Sequence, residues 1–246
     1  MDRMLYVAMS GAKETLRAQA VNNHNLANAS TTGFRADMAA FQSRAVDGSG
    51  YASRVYTQSA STGWDHKQGA MLSTGRDLDV AVNGPGWIAV QGADGKEAYT
   101  RAGDLQVDAT GQLTTGAGHP VLGDGGPLVI PPYSSIFVAG DGSISIVAQG
   151  QSPQTTSTIG RLKLVNPPND QIDRSDDGLF RMKDGSNPPA DAAVQVGSGV
   201  LESSNVNAAE AMVNMIELAR HFEMQVKAIR TAEENATAAQ QLMRMG

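Results

Sequence analysis

Hydrophobic residues near the C-terminus recur at alternating steps of three and four between residues 208 and 243. This period is the heptad of a coiled-coil helix, and no Gly or Pro interrupts it before Gly246. Asn207 is a suitable N-cap, and Glu210 completes a variant capping box. A helix of about 37 residues is roughly 55 Å long, so it needs a partner helix. The seam consists of Ala208, Met212, Met215, Ala219, Phe222, Val226, Ile229, Ala236 and Met243, with Glu233 and Gln240 at its two weak positions.

A second, less regular apolar stripe lies at the N-terminus. One glutamine and three asparagines interrupt it between residues 19 and 25, and asparagine is a mediocre helix former. We therefore expect this helix to fray in the isolated chain and to become ordered only when a partner buries it. The C-terminal helix is one such partner. The stripe consists of Leu5, Ala8, Met9, Ala12, Leu16, Ala20 and Leu26.

Between the two helical ends, short apolar stretches alternate with tight turns such as Asp94-Gly95 and Asp141-Gly142. Asp-Gly between short alternating stretches is a strong hairpin signal. The pattern predicts an antiparallel domain that resembles a sandwich or a barrel. The predicted strands are Leu78–Val82, Trp87–Gln91, Ala98–Arg101, Leu105–Val107, Gln112–Thr114, Ile136–Ala139, Ile144–Val147 and Arg161–Val165, and residues 148–158 and 184–199 are interpreted as loops.

The chain is therefore predicted to have an α+β fold in which discontinuous terminal helices bracket a β-rich domain. We predict an N-terminal helix and turn at residues 1–35 and an extended, weakly ordered connector at residues 36–72. The β-rich domain is expected at residues 73–198 and the C-terminal helix segment at residues 199–246.

Composition narrows the possible functions. Charged residues make up 18% of the chain and the formal net charge is −6, which disfavours nucleic acid as a partner. The chain has no cysteine, which excludes disulfides, thiolate nucleophiles and cysteine-ligated zinc. No apolar stretch of about 18 residues occurs, and the N-terminus lacks the pattern of a cleaved signal peptide, so we expect no membrane insertion.

The residues that carry enzyme chemistry form no recognisable pattern. His24, His66, His119 and His221 have no metal-ligand spacing. The Gly84–Gly86 segment leads into a predicted strand and not a helix, so it does not match a phosphate-binding loop. Asp77 and Asp79 are interpreted as solvated at a strand edge. We expect no catalytic residue, cofactor, metal or small-molecule substrate.

The segment from Asn25 to Arg35 resembles the N-terminal signature of the flagellar axial proteins, the family of rod and hook subunits. The family pattern is Asn-Leu-Ala-Asn, followed by Thr-x-Gly-Phe and a basic residue. In physical terms the asparagines end the helix, the glycine permits a positive φ, and the phenylalanine anchors the returning chain. The matching residues are Asn25, Leu26, Ala27, Asn28, Thr32, Gly33, Phe34 and Arg35.

Two further segments are similar to the same family, so that three motifs in the family order span nearly the whole chain. Residues 74–82 (Thr-Gly-Arg-Asp-Leu-Asp-Val-Ala-Val) and 99–103 (Tyr-Thr-Arg-Ala-Gly) form the middle motif. The C-terminal motif occupies residues 199–207 and continues into the long helix. Its matching residues are Gly199, Leu201, Glu202, Asn205, Val206 and Asn207.

The resemblance implies a subunit of an axial tube, with the paired terminal helices lining the inner wall and the β domain outside. It also implies export through the flagellar type III apparatus without a cleaved signal, and a location in the periplasm-spanning rod. The implied partners are other copies of the chain, neighbouring rod proteins and the export apparatus. Phe34 and Met38 match a loose export-gate pattern. The residues expected to pack in the axial helices are Leu5, Met9, Leu16, Met212, Met215, Ala219, Phe222, Val226, Ile229 and Met243.

Within the family, Trp87 in Gly86-Trp87-Ile88 favours the proximal-rod branch, because distal-rod and hook proteins tend to have Gly-Phe-Phe there. The distal-rod branch is the alternative. A carbohydrate-binding or carbohydrate-hydrolysing envelope protein would need a carboxylate pair in a cleft, and a phage-tail or adhesin module would trimerise alone. The terminal motifs weigh against both of these classes.

Overall fold

The computed structural model describes residues 3–45, 55–152 and 154–244. These residues divide into two compact units. The first unit contains the described parts of 1–29, 36–65 and 206–246, and the second contains those of 30–35 and 66–205.

Two helices and eighteen strands occur in the described residues. The helices are α1 (Arg3–Ala27) and α2 (Ala208–Arg244). The strands are β1 (Asp37–Ala45), β2 (Val55–Trp64), β3 (Met71–Ser73), β4 (Val80–Asn83), β5 (Trp87–Gln91), β6 (Glu97–Thr100), β7 (Leu105–Val107), β8 (Leu113–Thr115), β9 (Leu122–Gly123), β10 (Gly126–Pro127), β11 (Tyr133–Val138), β12 (Ser143–Ala148), β13 (Ser157–Arg161), β14 (Leu164–Val165), β15 (Ile172–Arg174), β16 (Phe180–Met182), β17 (Gln195–Ser198) and β18 (Val200–Glu202).

In the first unit, α1 packs against α2 in an antiparallel direction. Asn22 Nδ2 donates a hydrogen bond of 2.8 Å to the carbonyl of Ala211. Further along both helices, a Cβ at Gly11 would lie 3.0 Å from the side chain of Gln225. Small side chains allow the two helices to approach closely. The most buried alanines of the two helices are Ala8, Ala12, Ala18, Ala211 and Ala232.

The contact face of α2 repeats at steps of three and four, as the heptad pattern predicted, but it is rotated slightly. The predicted seam and the observed face share Ala208, Met215, Phe222 and Ile229. Between these residues, the observed face uses the residue one position before the predicted one. For example, Ala211 is buried, whereas Met212 is 54% exposed. The reason is that α1 covers this face, as the hydrogen bond from Asn22 to the Ala211 carbonyl and the burial of Ala211 and Ala232 indicate. The buried or half-buried face includes Ala208, Ala211, Met215, Leu218, Phe222, Gln225, Ile229 and Ala232.

The connector predicted at residues 36–72 contains paired strands. β1 and β2 pair antiparallel from Asp37 opposite Trp64 to Ala45 opposite Val55, with a bulge between Met38 and Ala39. β1 and β2 belong to the first unit and pack beside α1. Their residues are mostly small and polar, so the sequence shows no alternating apolar pattern from which this pairing could be predicted.

The second unit is an antiparallel β structure around one apolar core. Its largest sheet has the order β14-β5-β6-β16-β15, and β11-β12-β13 form a three-stranded sheet. The remaining pairs are β17-β4, β18-β3, β7-β8 and β10-β9. The fully buried core residues include Val80, Val82, Ile88, Val90, Leu105, Leu113, Val121, Ile144, Ile146, Leu162 and Leu164.

Terminal helices therefore flank an antiparallel β-rich region, as predicted. Seven of the eight predicted strands overlap one observed strand, and the prediction at 161–165 covers the end of β13 and all of β14. The interpretation of residues 184–199 as a loop was wrong at its end, because β17 pairs there with β4. Val196 is the one apolar residue of β17, so the strand arises from tertiary pairing and not from a local pattern.

Candidate functional site

The three sequence motifs meet inside the second unit, at a place that we call the motif junction: Gly33, Arg35, Arg101 and Glu202. Glu202 Oε1 lies 2.6 Å from Arg35 Nη2, and its Oε2 lies 3.1 Å from Arg101 Nη1. The backbone N–H of Gly33 donates to the carbonyl of Glu202 over 2.8 Å. One residue of the C-terminal motif thus binds both the N-terminal and the middle motif.

The charged groups of the motif junction are almost completely excluded from water. The side chains of Arg35, Arg101 and Glu202 are 1%, 4% and 0% exposed. Burial lowers the pKa of Arg101 to about 10, against the opposing attraction of Glu202, and the nearby Arg35 lowers it further. Two buried cations share one carboxylate, so the guanidinium groups also depend on neutral acceptors.

Backbone carbonyls supply those acceptors. Arg101 donates to the carbonyls of Val82 at 3.2 Å and Gly84 at 2.7 Å, and its guanidinium lies 5.4 Å from the ring centroid of Trp87. Arg35 donates to the carbonyl of Lys67. The arginines therefore join several segments of the second unit to the chain-terminal motifs.

Gly33 allows the N-terminal motif to enter the motif junction. Its φ is +67°, a conformation that L side chains rarely adopt. A Cβ at this position would also overlap the Arg101 carbonyl carbon and the Ala102 nitrogen. The positive φ expected from the sequence is present, and the close backbone approach gives a second reason for glycine.

Phe34 is half-buried in the second unit. The guanidinium of Arg174 lies 4.7 Å from the centroid of its ring, and Arg174 Nη1 donates to the Arg35 carbonyl at 2.7 Å. The carbonyl of Phe34 accepts from the backbone N–H of Asn205 at 3.3 Å. Met38, the other residue of the loose export pattern, lies on β1 in the first unit and is 48% exposed.

The asparagines of the N-terminal motif bind backbone groups around the end of α1. Asn25 donates to the Asp37 carbonyl at 2.9 Å and accepts from the Asp37 N–H at 2.8 Å, so its amide pairs with β1 as a strand would. Asn28 Nδ2 donates to the His24 carbonyl at 2.9 Å. Leu26 and Thr32 are half-buried and Ala27 is exposed.

The C-terminal motif connects the β region to α2. Gly199 has a φ of +74°, Leu201 pairs with Leu72 between β18 and β3, and Val206 is half-buried. Asn205 Nδ2 donates to the Lys67 carbonyl at 3.0 Å. Asn207 Oδ1 accepts from the N–H groups of Ala209 and Glu210, at 3.1 and 3.3 Å. The predicted N-cap is therefore present.

The residues predicted to pack in the axial helices divide into two groups. In this single chain one group is half-buried: Leu5, Met215, Ala219, Phe222, Val226 and Ile229. The other group is exposed: Met9 (51%), Leu16 (49%), Met212 (54%) and Met243 (78%). The second group leaves a substantial apolar surface on both helices.

A groove of about 620 Å³ lies between α1, α2 and β1 in the first unit. Asp37, Glu210 and Glu217 supply its carboxylates, and His221 lies beside them. His24 Nδ1 is 2.7 Å from Asp37 Oδ2. The remaining lining is apolar or amide: Ala18, Val21, Asn22, Asn25, Met38, Ala39, Asn214 and Leu218.

Within the described ranges, no group of three or more acidic or histidine side chains is arranged to hold a metal ion. No described helix is long and apolar enough to cross a membrane. Asp79 differs from its interpretation as a solvated residue, because it is 4% exposed and accepts from Thr74 Oγ1 at 2.7 Å. It fixes the turn before β4.

Helices from both chain ends, an antiparallel β region and a junction of the three motifs together define a chain of the flagellar axial class. Three family models match in the corresponding order. "Flagella basal body rod protein" matches residues 5–35, "Flagellar hook protein FlgE/F/G D1 domain" matches 81–150, and "Flagellar basal body rod FlgEFG protein C-terminal" matches 198–242.

Individual relatives agree with the family models. The chain is 47% identical to the flagellar basal-body rod protein FlgF of Salmonella typhimurium and 47% identical to FlgF of Escherichia coli, over 100% of each chain. It is 34% identical to the rod protein FlgG of Buchnera aphidicola subsp. Schizaphis graminum, over 94% of this chain and 97% of the relative. This chain belongs to the family of flagellar basal-body rod proteins.

Sequence reasoning identified the motifs but missed the contact between them. Arg35, Arg101 and Glu202 were recognised as motif residues, without any indication that they share one buried site. Each motif has a charged residue beside residues typical of a core, and this could have indicated a buried ionic contact. Because these motifs are far apart in the chain, periodicity cannot show that their charges meet.

Proposed function

We propose that this chain is a structural subunit of the proximal rod of the flagellar basal body, and that it is not an enzyme. The observation that carries the proposal is the exposed apolar surface of the two terminal helices. Met9, Leu16, Met212 and Ile216 are each about half exposed, at 51%, 49%, 54% and 55%. Exposed apolar side chains in such number on two helices are typical of surfaces that other proteins cover.

The proximal position is supported by the degree of similarity. The support comes from two FlgF relatives, those of Salmonella typhimurium and Escherichia coli, which are 47% identical to the chain; the FlgG relative is 34% identical, and the FlgF relatives of Buchnera aphidicola and Caulobacter vibrioides are 32% and 34% identical. Trp87 in the Gly86–Ile88 segment favours the same branch. The proposed partners are other copies of the chain and the neighbouring rod proteins of the basal body.

In the assembled rod, α1 and α2 would form a coiled-coil layer around the export channel, with the β region outside. The steps of three and four on α2 and the buried alanines on both helices support this arrangement. Many repeated helix contacts would transmit torque without a weak hinge. Heterologous contacts that do not close are the kind that build such filaments.

The chain would reach the rod through the flagellar type III apparatus, without a cleaved signal peptide. The absence of cysteine suits passage of an unfolded chain, because no disulfide can form during transit. Phe34 and Met38 are the proposed contacts with the export gate. Secretion of Phe34→Ala and Met38→Ala variants into the medium of a hook-deficient strain would test this assignment.

The experiment that tests the proposed function is deletion of the gene, followed by complementation with the full-length chain or with a chain lacking residues 208–246. Swimming and electron microscopy of isolated basal bodies are the measurements. We expect the deletion strain to lack hook and filament, and we expect rescue only by the full-length chain. A deletion strain that swims normally would contradict the rod assignment.

A further inference from the structure

The groove of the first unit is an acidic surface. Asp37, Glu210 and Glu217 contribute three carboxylates, while His221 in the lining and His24 beside Asp37 are its neighbouring titratable groups. Glu210, Glu217 and His221 are exposed and Asp37 is half-buried. Glu210 and Glu217 are therefore accessible to a cationic partner, while Asp37 Oδ2 lies 2.7 Å from His24 Nδ1. Exposed Met38, at 48%, and half-buried Leu218 add apolar surface to the same groove.

The face of α2 that borders the groove has the complementary chemistry, beginning beside Glu217, which is three residues before Arg220. Met212, Ile216, Arg220 and Met224 follow one another at steps of four residues, which is one of the ridges by which helices pack. We call these four residues the α2 ridge. Its three apolar members are 54%, 55% and 56% exposed, in that order, and Arg220 is exposed.

The residues beside the α2 ridge add further apolar surface and a second positive charge. Val213 beside it is 56% exposed, and Lys227 adds a second exposed cation one turn further on. Glu223 is also exposed and offsets part of this positive charge. The α2 ridge and the acidic groove share no residue, so one copy of the chain can present both surfaces at the same time.

We propose that the α2 ridge of one copy docks into the acidic groove of a second copy. This inference rests on the proposed function and names the contact between copies. Arg220 and Lys227 would lie against Asp37, Glu210 and Glu217, while the methionines and Ile216 of the ridge lose their exposure to water. Because the two surfaces differ, the contact is heterologous and adds copies in series instead of closing a two-fold dimer.

Charge exchange tests the contact in the full-length chain. The variants are Glu217→Lys, Arg220→Glu and the two changes together, each expressed in the deletion strain. Both side chains are exposed in the single chain, so thermal unfolding by circular dichroism should remain unchanged. Each single variant should lower the yield of hook-bearing basal bodies by roughly tenfold, because like charges then face each other across the contact. The double variant should restore most of that yield.

The matched control combines Glu217→Lys with Lys96→Glu. It has the same net charge as the double variant, but Lys96 is an exposed residue of the turn between β5 and β6. It should therefore show the same loss as Glu217→Lys alone. Restoration by this control would mean that net charge, and not the docking contact, controls assembly, and it would overturn the proposal.

Disulfide crosslinking provides a direct measurement, because the natural chain has no cysteine. Two differently tagged chains, one with Glu217→Cys and the other with Met224→Cys, are expressed together in the deletion strain. Oxidation of isolated basal bodies should give a mixed dimer that contains both tags. The pair Lys96→Cys and Met224→Cys is the control and should give none. A crosslink only to a different basal-body protein, or no crosslink, would overturn the proposal.

The outcomes separate this inference from the proposed function. If the unaltered chain restores swimming but both charge variants assemble normally, the chain is a rod subunit and the docking contact is wrong. If the unaltered chain is absent from basal bodies, or the deletion strain already swims, the proposed function itself is wrong.

Discussion

Glu202 binds Arg35 through an ion pair of 2.6 Å in which both side chains are excluded from solvent. The contact joins the C-terminal motif to the N-terminal motif, and Arg101 brings the middle motif to the other carboxylate oxygen. The residues that identify the family are therefore, in part, the residues that hold the second unit together. Their role in the fold is to bring distant segments of the chain to one place.

Replacement of Glu202 by Gln should destabilise the second unit strongly. Removing one partner of a buried ionic group typically costs about 3–5 kcal/mol, because the remaining charges lose their compensation. Here Arg35 and Arg101 would face each other without a carboxylate. Urea unfolding of the purified full-length chain, followed by tryptophan fluorescence, measures the free energy of unfolding. Trp87, 5.4 Å from the Arg101 guanidinium, is a local reporter.

The matched control for that variant is Glu234→Gln, at an exposed position of α2. Its free energy of unfolding should differ from that of the natural chain by no more than about 0.5 kcal/mol. If Glu202→Gln were as stable as this control, the motif junction would not contribute measurably to stability.

Gly33→Ala should destabilise the chain for two reasons that a second variant can separate. Gly185 has a similar φ, +71° against +67°, but a Cβ there would meet no atom within 4 Å, whereas at Gly33 it would overlap the backbone of Arg101. Gly185→Ala should therefore lower the free energy of unfolding only by the cost of placing an L residue in the left-handed conformation, about 1–2 kcal/mol. Gly33→Ala should cost clearly more, since its neighbours must shift as well. Equal midpoints in urea unfolding would contradict the close approach at Gly33.

The sequence predicted those parts of the structure that depend on local patterns. The heptad steps of α2, its cap at Asn207 and the strands near Asp-Gly turns could be predicted because each is determined by residues close together in the chain. The pairing of β1 with β2 could not, because small polar residues leave no apolar period. The choice of Ala211 over Met212 as the buried position also depends on α1, which the sequence of α2 alone does not contain.

Tyr99 should make the second unit sensitive to alkaline pH. It is fully buried in β6 and donates to Glu97 Oε1 at 3.1 Å. Burial raises the pKa of Tyr99 above its usual value of 10, and the negative charge of Glu97 raises it further. Above about pH 10 the unfolded chain loses the tyrosine proton while the folded chain keeps it. The folded state then binds more protons, so the free energy of unfolding falls as pH rises, by up to about 1.4 kcal/mol per pH unit from this group.

Tyr99→Phe isolates this effect. At pH 7 the variant should be less stable by about 1 kcal/mol, because one hydrogen bond to Glu97 is lost. Between pH 10 and 11 its stability should fall less steeply than that of the natural chain, since phenylalanine does not titrate. Urea unfolding at several pH values measures both slopes, and parallel slopes would contradict the role of Tyr99.

The variants Ala211→Glu and Met212→Glu should differ in their effects: the first should impair folding, and the second should impair assembly. Ala211 is 5% exposed where α2 contacts α1, so a carboxylate there must either be buried or separate the helices. Ala211→Glu should therefore lower the thermal midpoint of the helical circular dichroism signal in the isolated chain. Met212 is 54% exposed and begins the α2 ridge, so Met212→Glu should leave that midpoint within a few degrees but reduce incorporation into basal bodies. The opposite result, in which Met212→Glu unfolds the helices of the isolated chain and Ala211→Glu does not, would mean that the predicted seam through Met212, and not the face through Ala211, contacts α1.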